Sequence, residues 1–514
     1  MNNIQMFCRQ CQETFGNIAC TRGGVCGKRP AASAAMDRLI ARLEDLAAAR
    51  PPTRDLGRFV TESLFLTLTN VNFDGCRLAE AVAEAERRLR TVSPRNRPQA
   101  FSDPSADIRS LKELTLFGLK GVSAYLVHAA ALGREDDRLY GAVLRTLRTL
   151  ARTRSIPALV RLALGCGRTA AAAMALLDDA NTGTYGEPSP AEVDLGVGKR
   201  PGILVSGHDL RDLWELLDQS ADAGVDVYTH GEMLPTHAYP AFRKYPHLRG
   251  NYGDAWHRQQ ADFTAFNGAI LMTSNCIVPV LPAYSGRIFT TGPAGHPGVP
   301  HIGDRRDGEP KDFSAVIACA RRCRPPTGLE HGRVVCGYAR EQLQELVGPI
   351  VAAVRSGAIR KFVVMAGCDG RHQTRDYYRE VAERLPKDAV ILTAGCAKYR
   401  YIKLGLGDIG GIPRVLDAGQ CNDIHSIVAF ARALKAALGV RRTGDLPIAF
   451  DIAWYEQKAV AALLALLALG FRGIRLGPTL PAFLSAGVRR VLQERFGIRP
   501  IGLPEEDVRH LAGA

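Results

Sequence analysis

The sequence predicts a multidomain α plus α/β protein, in which an N-terminal helical-bundle domain precedes two Rossmann-like α/β domains with mainly parallel sheets. Apolar residues recur at three- and four-residue spacing between residues 30 and 178, a pattern typical of packed helices. After residue 200, short apolar runs alternate with helical stretches, which favours parallel strands joined by right-handed crossovers. We therefore place the domains at residues 1–195, 196–340 and 341–514.

The chain begins with four closely spaced cysteines, Cys8, Cys11, Cys20 and Cys26. A C-x2-C pair can hold a metal ion or a cluster from one turn, and two further thiolates complete a four-sulfur shell. Glycines between these cysteines let the backbone wrap closely around a cluster. The spacing favours an iron–sulfur cluster, because zinc ribbons usually end in a second C-x2-C pair. Zinc and free thiols remain alternatives at this point.

Six helices are predicted in the N-terminal domain. They are expected at residues 31–49, 62–70, 77–92, 108–131, 136–153 and 156–177, with polar, proline-bearing breaks such as 94–104 between several of them. Their apolar stripes should pack on one another as in a helix bundle. Near Asn181 the chain is expected to become a loop.

Seven short apolar runs after residue 200 each end at a residue that can bind a metal. The runs cover residues 202–208, 225–232, 269–276, 361–368, 389–396, 414–421 and 447–456, and they end at His208, Glu232, Cys276, Cys368, Cys396, Cys421 and Glu456. Ligands bind at the carboxyl ends of the strands in open α/β sheets. Thiolates combined with carboxylates and an imidazole favour an iron cluster with both sulfur and oxygen bridges. Taken singly, each residue also has an ordinary structural explanation, such as a buried thiol.

The composition argues against several classes of protein. The net charge of +14 comes from scattered arginines that alternate with acidic residues, so solvated helix faces explain it better than nucleic-acid binding. No apolar run reaches the roughly 18 residues of a membrane span and no secretory signal is visible, so a cytoplasmic location is expected. Thirteen cysteines in such a chain indicate metal or redox use rather than disulfides.

The remaining cysteines are not expected to bind a metal. Residues 298–331 should form a loop, with a boundary between the two α/β units near residue 340. Four residues in this region have a spacing that could suit zinc, namely Cys319, Cys323, His331 and Cys336. They end no apolar strand, which favours ordinary structural roles. Cys76 and Cys166 are expected to be core or surface thiols.

The sequence resembles the hybrid cluster protein family, also called prismane proteins or hydroxylamine reductases. The resemblance covers essentially the whole chain and rests on long motifs in a fixed order. The motifs are MFCRQCQET from Met6, NTGTYG from Asn181, SGHDLRDL from Ser206, YTHGEMLP from Tyr228, TSNC from Thr273, GCDG from Gly367, GCAKYR from Gly395, GDIGGIPR from Gly407, GQCND from Gly419 and WYEQKA from Trp454.

This resemblance implies two clusters. A hybrid 4Fe-2O-2S cluster would be held by His208, Glu232, Cys276, Cys368, Cys396, Cys421 and Glu456. Lys458 would lie beside it, and Cys368 would carry a persulfide. A 4Fe-4S cluster would be held by Cys8, Cys11, Cys20 and Cys26, whose short spacing is similar to that of members with a four-iron cubane. The other cysteines match no ligand of the family.

The activity that the resemblance implies is the two-electron reduction of hydroxylamine to ammonia and water. Electrons would pass from the N-terminal cluster to the hybrid cluster, where an open iron would bind hydroxylamine. Glu232 and Glu456 would provide labile coordination and protons, and Lys458 would stabilise negative charge or protonate the leaving hydroxide. Cys368 is counted with these as a catalytic residue through its persulfide.

Other functions remain open on the sequence. Nitric oxide reduction, peroxide reduction and protein S-nitrosylation in nitrosative stress would use the same ligand set. A nickel–iron carbon monoxide dehydrogenase is a related architecture, but Glu232 and Glu456 argue against it because such nickel sites are richer in thiolate. We expect a monomer without nucleic-acid or membrane partners. The resemblance also implies a redox partner, for which an NADH-dependent reductase would be typical of the family. No nucleotide-binding fingerprint is visible in this sequence.

Overall fold

The computed structural model describes residues 6–90, 103–306 and 308–513. Helices come first and two six-stranded parallel sheets follow, which confirms the predicted fold class. The predicted break at residues 94–104 lies mostly outside the described residues. The boundaries between the three predicted domains stay predictions.

Six helices fill the N-terminal part of the chain. They are α1 Pro30–Ala49, α2 Arg54–Leu66, α3 Gly75–Leu89, α4 Ala106–Ala131, α5 Asp137–Leu150 and α6 Ile156–Tyr185. α2 begins well before residue 62 because Thr53 caps it, accepting a hydrogen bond from the Leu56 N–H. The loop expected near Asn181 is wrong, since α6 continues through it and ends at Gly186, which has a φ of 85°.

Two of these helices, α4 and α6, are long and apolar enough by length and composition to cross a membrane. The expectation that no such run exists therefore does not hold by that test. The most apolar stretch of α4 is 78% buried inside the protein, and that of α6 is 44% buried. The burial of α4 is typical of a helix in a protein core.

The strands form two large sheets and two small antiparallel pairs. They are β1 Ala191–Asp194, β2 Gly202–Ser206, β3 Asp226–His230, β4 Leu248–Asn251, β5 Ala269–Met272, β6 Ile288–Thr291, β7 His301–Ile302, β8 Arg333–Cys336, β9 Lys361–Gly367, β10 Ala389–Thr393, β11 Asp408–Ile409, β12 Ile412–Pro413, β13 Val415–Asp417, β14 Ile448–Ala453, β15 Ile474–Gly477 and β16 Arg499–Pro500. All seven predicted strands are present among them. The prediction of a loop over residues 298–331 is wrong, because β7 and a helix at Ser314–Arg321 lie within it.

Both large sheets have the same strand order. The first runs β4-β3-β2-β5-β6-β7 and the second β13-β10-β9-β14-β15-β16, and every neighbouring pair is parallel. Numbered within each sheet along the chain, both orders read 3-2-1-4-5-6, which is the doubly wound arrangement. The small pairs are β1 with β8 and β11 with β12.

The remaining helices connect or flank these strands. They are α7 Leu210–Ser220, α8 Gln259–Phe266, α9 Ser314–Arg321, α10 Arg340–Glu345, α11 Val347–Ser356, α12 Asp376–Arg384, α13 Ile424–Leu438, α14 Gln457–Ala468, α15 Ala486–Phe496 and α16 Pro504–Ala512. α14 packs between α4 and α6. A Cβ on Gly121 of α4 would lie 2.6 Å from the Gln457 carbonyl oxygen, so only glycine allows this approach. The start of α14 is thereby held against the helical part of the chain.

Candidate metal centre

Four of the seven predicted ligands lie where the strand order of a sheet reverses. The neighbours at this point are β2 and β5 in the first sheet and β9 and β14 in the second. His208 follows β2 and Cys276 follows β5, whereas Cys368 follows β9 and Glu456 follows β14. In doubly wound sheets, ligands bind at this reversal point.

The other three predicted ligands follow strands on one side of this point, β3 in the first sheet and β10 and β13 in the second. Glu232 comes after β3, Cys396 after β10 and Cys421 after β13. At each of these positions the chain enters a short 3-10 helix, which turns away from the strand direction. All seven side chains therefore belong to the carboxyl edges of the two sheets.

Gly367 lets the central strands of the second sheet come together just before their ligands. Its φ is 110°, and a Cβ there would lie 2.0 Å from the Ala453 carbonyl oxygen. The next residue, Cys368, donates its backbone N–H to the same oxygen at 2.8 Å. Any side chain larger than hydrogen at residue 367 would push β9 away from β14 and displace Cys368 from Glu456.

His208 is oriented by the first sheet. Its Nδ1 lies 2.8 Å from the Asn275 carbonyl oxygen, a contact in which Nδ1–H donates. The lone pair is therefore on Nε2, which accepts a hydrogen bond from Lys458 and is the atom that would bind a metal. Burial, followed by the charge of Lys458, lowers the pKa of His208 well below its usual value. The imidazole is therefore neutral, which is the form that binds metals.

Glu232 connects the first sheet to Cys421 of the second. Its Oε2 accepts the Cys421 N–H at 2.8 Å and lies 3.7 Å from the His208 Nε2. The potential ligand atoms of His208, Glu232 and Cys421 all lie within 4.8 Å of one another. The Glu232 Oε1 is buried and has no hydrogen-bond partner among the described residues. A buried carboxylate oxygen without a partner is costly unless a cation occupies the space it faces.

Lys458 lies at the centre of the group. Its Nζ is 2.8 Å from the His208 Nε2, 3.1 Å from the Asn275 Oδ1 and 3.7 Å from the Glu456 Oε1. Burial lowers the pKa of Lys458, but the surrounding thiols and carboxyls, Cys421 foremost, outweigh burial and raise it above its usual value. The ammonium group is therefore a buried cation beside the side chains of His208 and Glu456.

The four cysteine thiols of the candidate centre influence one another's ionisation. They belong to Cys276, Cys368, Cys396 and Cys421. Burial raises the pKa of each of them, that of Cys368 to about 12. Glu456 adds to this effect on Cys276 and Cys368, and Glu232 adds to it on Cys396 and Cys421. Buried groups that oppose each other's ionisation can be deprotonated together only if a bound cation compensates their charge.

The second group of cysteines lies in the N-terminal loop. Cys8 and Cys20 pair through their backbones, with N–H to carbonyl distances of 3.0 and 2.8 Å. Burial is the main cause that raises the pKa of Cys11. The neighbouring groups Cys26, Cys8, Glu13 and Cys20 raise it further. Burial also raises the pKa of Cys8, to about 11. A backbone hydrogen bond with Gln10 opposes this rise, and the neighbouring Cys26 adds to it. The four thiols are thus near enough to influence one another's ionisation, and the cluster that they would hold stays a prediction.

Direct hydrogen bonds join the two cysteine groups. The Gln12 N–H donates to the Tyr455 carbonyl at 2.9 Å, and the Gln457 side chain donates to the Gln10 carbonyl at 2.8 Å. The fully buried Arg375 donates to the Gln12 Oε1 at 2.9 Å and to the Cys368 carbonyl at 3.2 Å. The N-terminal loop is therefore fixed to the segment that carries Glu456 and Lys458.

The remaining cysteines lie apart from these groups. Cys76 is exposed, while the buried Cys166 and Cys336 donate to the carbonyls of Thr115 and Leu234. The Cys323 Sγ donates to the Cys319 carbonyl at the end of α9. Within the described ranges, the tight metal-sized group is the one at His208, and none of these residues contributes to it.

Sequence reasoning missed three residues that organise the centre. Asn275 contacts Lys458 and lies 3.5 Å from the Glu456 Oε1, Lys398 pairs with Asp417 beside Glu232, and Arg375 holds the Cys368 carbonyl. Lys398 follows Cys396 by two positions, just as Lys458 follows Glu456, and this shared spacing was the available signal.

Comparison with known proteins supports a family assignment. Residues 6–509 match the Prismane/CO dehydrogenase family. Proteins named hydroxylamine reductase from Desulfosudis oleivorans and Chlorobaculum tepidum are each 51% identical to this chain, covering 98% of it and 99% of the relative. A protein of the same name from Methanocaldococcus jannaschii is 48% identical, covering 99% of this chain and 100% of the relative.

Solved structures share the fold at much lower identity. Carbon monoxide dehydrogenase from Thermococcus sp. AM4 matches with a TM-score of 0.58 at 18% identity, over 99% of this chain and 90% of that one. Carbon Monoxide Dehydrogenase IV from Carboxydothermus hydrogenoformans matches with a TM-score of 0.57 at 18% identity, over 98% and 92%. Because the family match and the full-length relatives cover nearly every residue, the chain belongs to the Prismane/CO dehydrogenase family.

Proposed function

We propose that the chain is a hydroxylamine reductase that converts hydroxylamine, two protons and two electrons into ammonia and water. The observation that carries this proposal is the compact group of the buried His208 and Glu232 and the half-buried Cys421, with the Lys458 ammonium beside them. The full-length relatives named hydroxylamine reductase support it. A small substrate is required, because the centre is enclosed by buried side chains.

The donor set of the centre fits a mixed iron cluster. Its seven members would be His208, Glu232, Cys276, Cys368, Cys396, Cys421 and Glu456, and the persulfide would belong to Cys368. Soft thiolates suit sulfur-bridged iron and carboxylates suit oxygen-bridged iron, so a hybrid 4Fe-2O-2S cluster matches both kinds of ligand. The unpartnered Glu232 Oε1 is the atom that such a cluster would satisfy. When bound, the cluster supplies electrons and a Lewis acid for cleavage of the N–O bond.

The N-terminal thiols fit a 4Fe-4S cluster better than zinc. Thiolates around one zinc ion, with bonds near 2.3 Å, would lie about 4 Å from each other. Among the described residues, no three of Cys8, Cys11, Cys20 and Cys26 form a group that tight. The hydrogen bonds through Gln12 and Gln457 keep this second site in a fixed position relative to the first.

Two protein side chains would move protons to the substrate, and a third would position them. Lys458 Nζ is placed to donate a proton to the leaving oxygen, since it is the cation in contact with the ligands. Glu456 would receive the next proton and return it to the centre, because its Oε1 lies 3.7 Å from Lys458 Nζ. Asn275 would position both, through its contacts with Lys458 and Glu456.

An anaerobic turnover assay tests the proposal. With a reduced viologen as donor, each hydroxylamine consumed should yield one ammonia and oxidise two viologen radicals. Parallel assays with nitric oxide and hydrogen peroxide should show much lower kcat/KM. Efficient turnover of nitric oxide or peroxide without hydroxylamine turnover would contradict the proposal, and nickel in the metal analysis would point to carbon monoxide chemistry instead.

A further inference from the structure

The N-terminal loop exposes an unusual number of large apolar side chains. Among the described residues, half of the exposed large apolar side chains lie within this short segment. They are Phe7, Phe15, Ile18 and Val25, with exposed fractions of 62%, 72%, 74% and 42%. Exposed apolar patches of folded proteins mark interaction sites.

These exposed side chains lie close to the four cysteines along the chain. Phe7 directly precedes Cys8, and Val25 directly precedes Cys26. The Phe15 N–H donates to the Cys20 Sγ at 3.4 Å. The apolar patch is therefore the outer surface of the N-terminal site, where a partner would come nearest to these sulfurs.

Cationic side chains outnumber acidic ones on this surface. Arg22 and Arg29 are exposed, and the only acidic residue between Met6 and Pro30 is Glu13. Glu13 is buried and is neutralised by Arg371, which lies 2.5 Å away. A cavity of about 260 Å³ adjoins the patch at Phe7 and Cys8. Its wall contains three cationic and two acidic side chains, and one of the acids, Glu113, is paired with Arg9. The whole chain is also basic, with a net charge of +14.

We propose that the surface formed by Phe7, Phe15, Ile18, Arg22, Val25 and Arg29, the N-terminal face, docks a small acidic electron-transfer protein. The inference rests on the proposed function, since a reductase needs an electron donor. Positive charge would steer an acidic partner to this face, and the apolar side chains would hold it there briefly. A second copy of the chain is the less favourable occupant, because a two-fold contact would place Arg22 and Arg29 against the same basic surface.

The test follows reduction of the iron-loaded chain by a reduced, strongly acidic flavodoxin, in stopped flow without hydroxylamine. Two double variants change the face: Phe15→Ser with Ile18→Ser, and Arg22→Glu with Arg29→Glu. Matched controls change exposed residues elsewhere: Leu503→Ser, and Arg441→Glu with Arg499→Glu. Binding of flavodoxin and of a basic cytochrome c is measured by calorimetry on the same samples.

We expect both face variants to lower the rate constant for flavodoxin about tenfold or more at low salt, and the arginine variant to flatten its salt dependence. Dithionite should reduce every variant at the rate of the unchanged chain, and cytochrome c should not bind. Equal flavodoxin rates in face and control variants would overturn the proposal. The proposal would also be overturned if the unchanged chain were a dimer that the serine substitutions dissociate, while the rate of reduction by flavodoxin stayed the same.

If the serine variant loses iron, the arginine variant decides, because it keeps every apolar side chain. Failure of the proposed function is recognised separately, since a chain that flavodoxin reduces but that does not turn over hydroxylamine would refute only the proposed activity.

Discussion

Glu456 has two roles that a single substitution can separate. As the N-cap of α14, its Oε2 accepts the Lys458 N–H at 2.8 Å. As a member of the candidate centre, its Oε1 lies 3.7 Å from the Lys458 Nζ and 3.5 Å from the Asn275 Nδ2. Replacing Glu456 with Gln keeps an acceptor oxygen for the cap but removes the negative charge and the ionised ligand.

The two roles have different magnitudes. Loss of an N-cap side chain costs about 1 kcal/mol of stability, so Glu456→Ala should unfold more readily and Glu456→Gln should not. Loss of a group that carries protons in the reaction costs about 10²–10⁴ in rate. Glu456→Gln should therefore lower kcat for hydroxylamine by this factor while leaving the free energy of unfolding nearly unchanged.

The measurement combines viologen-driven turnover with denaturant unfolding and iron content. Glu494→Gln, at an exposed position of α15, is the matched control and should alter none of them. The N-terminal cluster should remain reducible by dithionite in every variant. Normal turnover by Glu456→Gln at full iron content would refute the role assigned to this carboxylate.

Three further predictions concern other residues. Lys458→Met keeps a long unbranched side chain but removes the central ammonium group. It should lower kcat by about 10²–10⁴, and normal steady-state turnover would contradict a role in proton donation. Cys421→Ser should lower iron per chain in elemental analysis, whereas Cys76→Ser, at an exposed thiol, should not. Asp451 is buried, and burial raises its pKa to about 7, so the folded chain holds this proton more tightly than the unfolded chain, where the pKa is about 4. Its contribution to stability is therefore fully present below about pH 4 and is lost as the pH rises to about 7. Asp451→Asn should reduce this decline in denaturant unfolding followed from pH 4 to 8, and an unchanged pH profile would refute the assignment.

The sequence revealed the parts of the fold that are locally encoded. Seven strands were recognised because each is a short apolar run followed by a glycine or a polar turn, as in β9 before Cys368. Three of the four edge strands of the large sheets were missed because their sequences carry little apolar pattern: β4 reads LRGN, and β7 and β16 have two residues each. The pairing of β1 with β8 joins residues far apart in the chain, and periodicity contains no information about such a partner.

The same distinction applies to the candidate centre. Its ligand positions follow from strand ends and motifs, but their supporting contacts cross the chain. Asn275 reaches Lys458 over 183 positions, and Arg375 reaches Gln12 over 363. Such contacts depend on how the two sheets and the N-terminal loop pack, which local patterns do not specify. The persulfide on Cys368 and the identity of each ligand stay predictions.

The division of the ligands between two sheets has a physical consequence. The first sheet supplies His208, Glu232 and Cys276, while the second supplies the remaining four. Gln420 of the second sheet donates to the carbonyls of both His208 and Glu232, at 3.2 and 2.8 Å, so the packing that joins the sheets also aligns the ligands. Burying this many ionisable groups opposes folding, and a bound cluster would offset that cost because metal binding contributes directly to the stability of the folded state. The centre and the packing of the two sheets are therefore expected to form together.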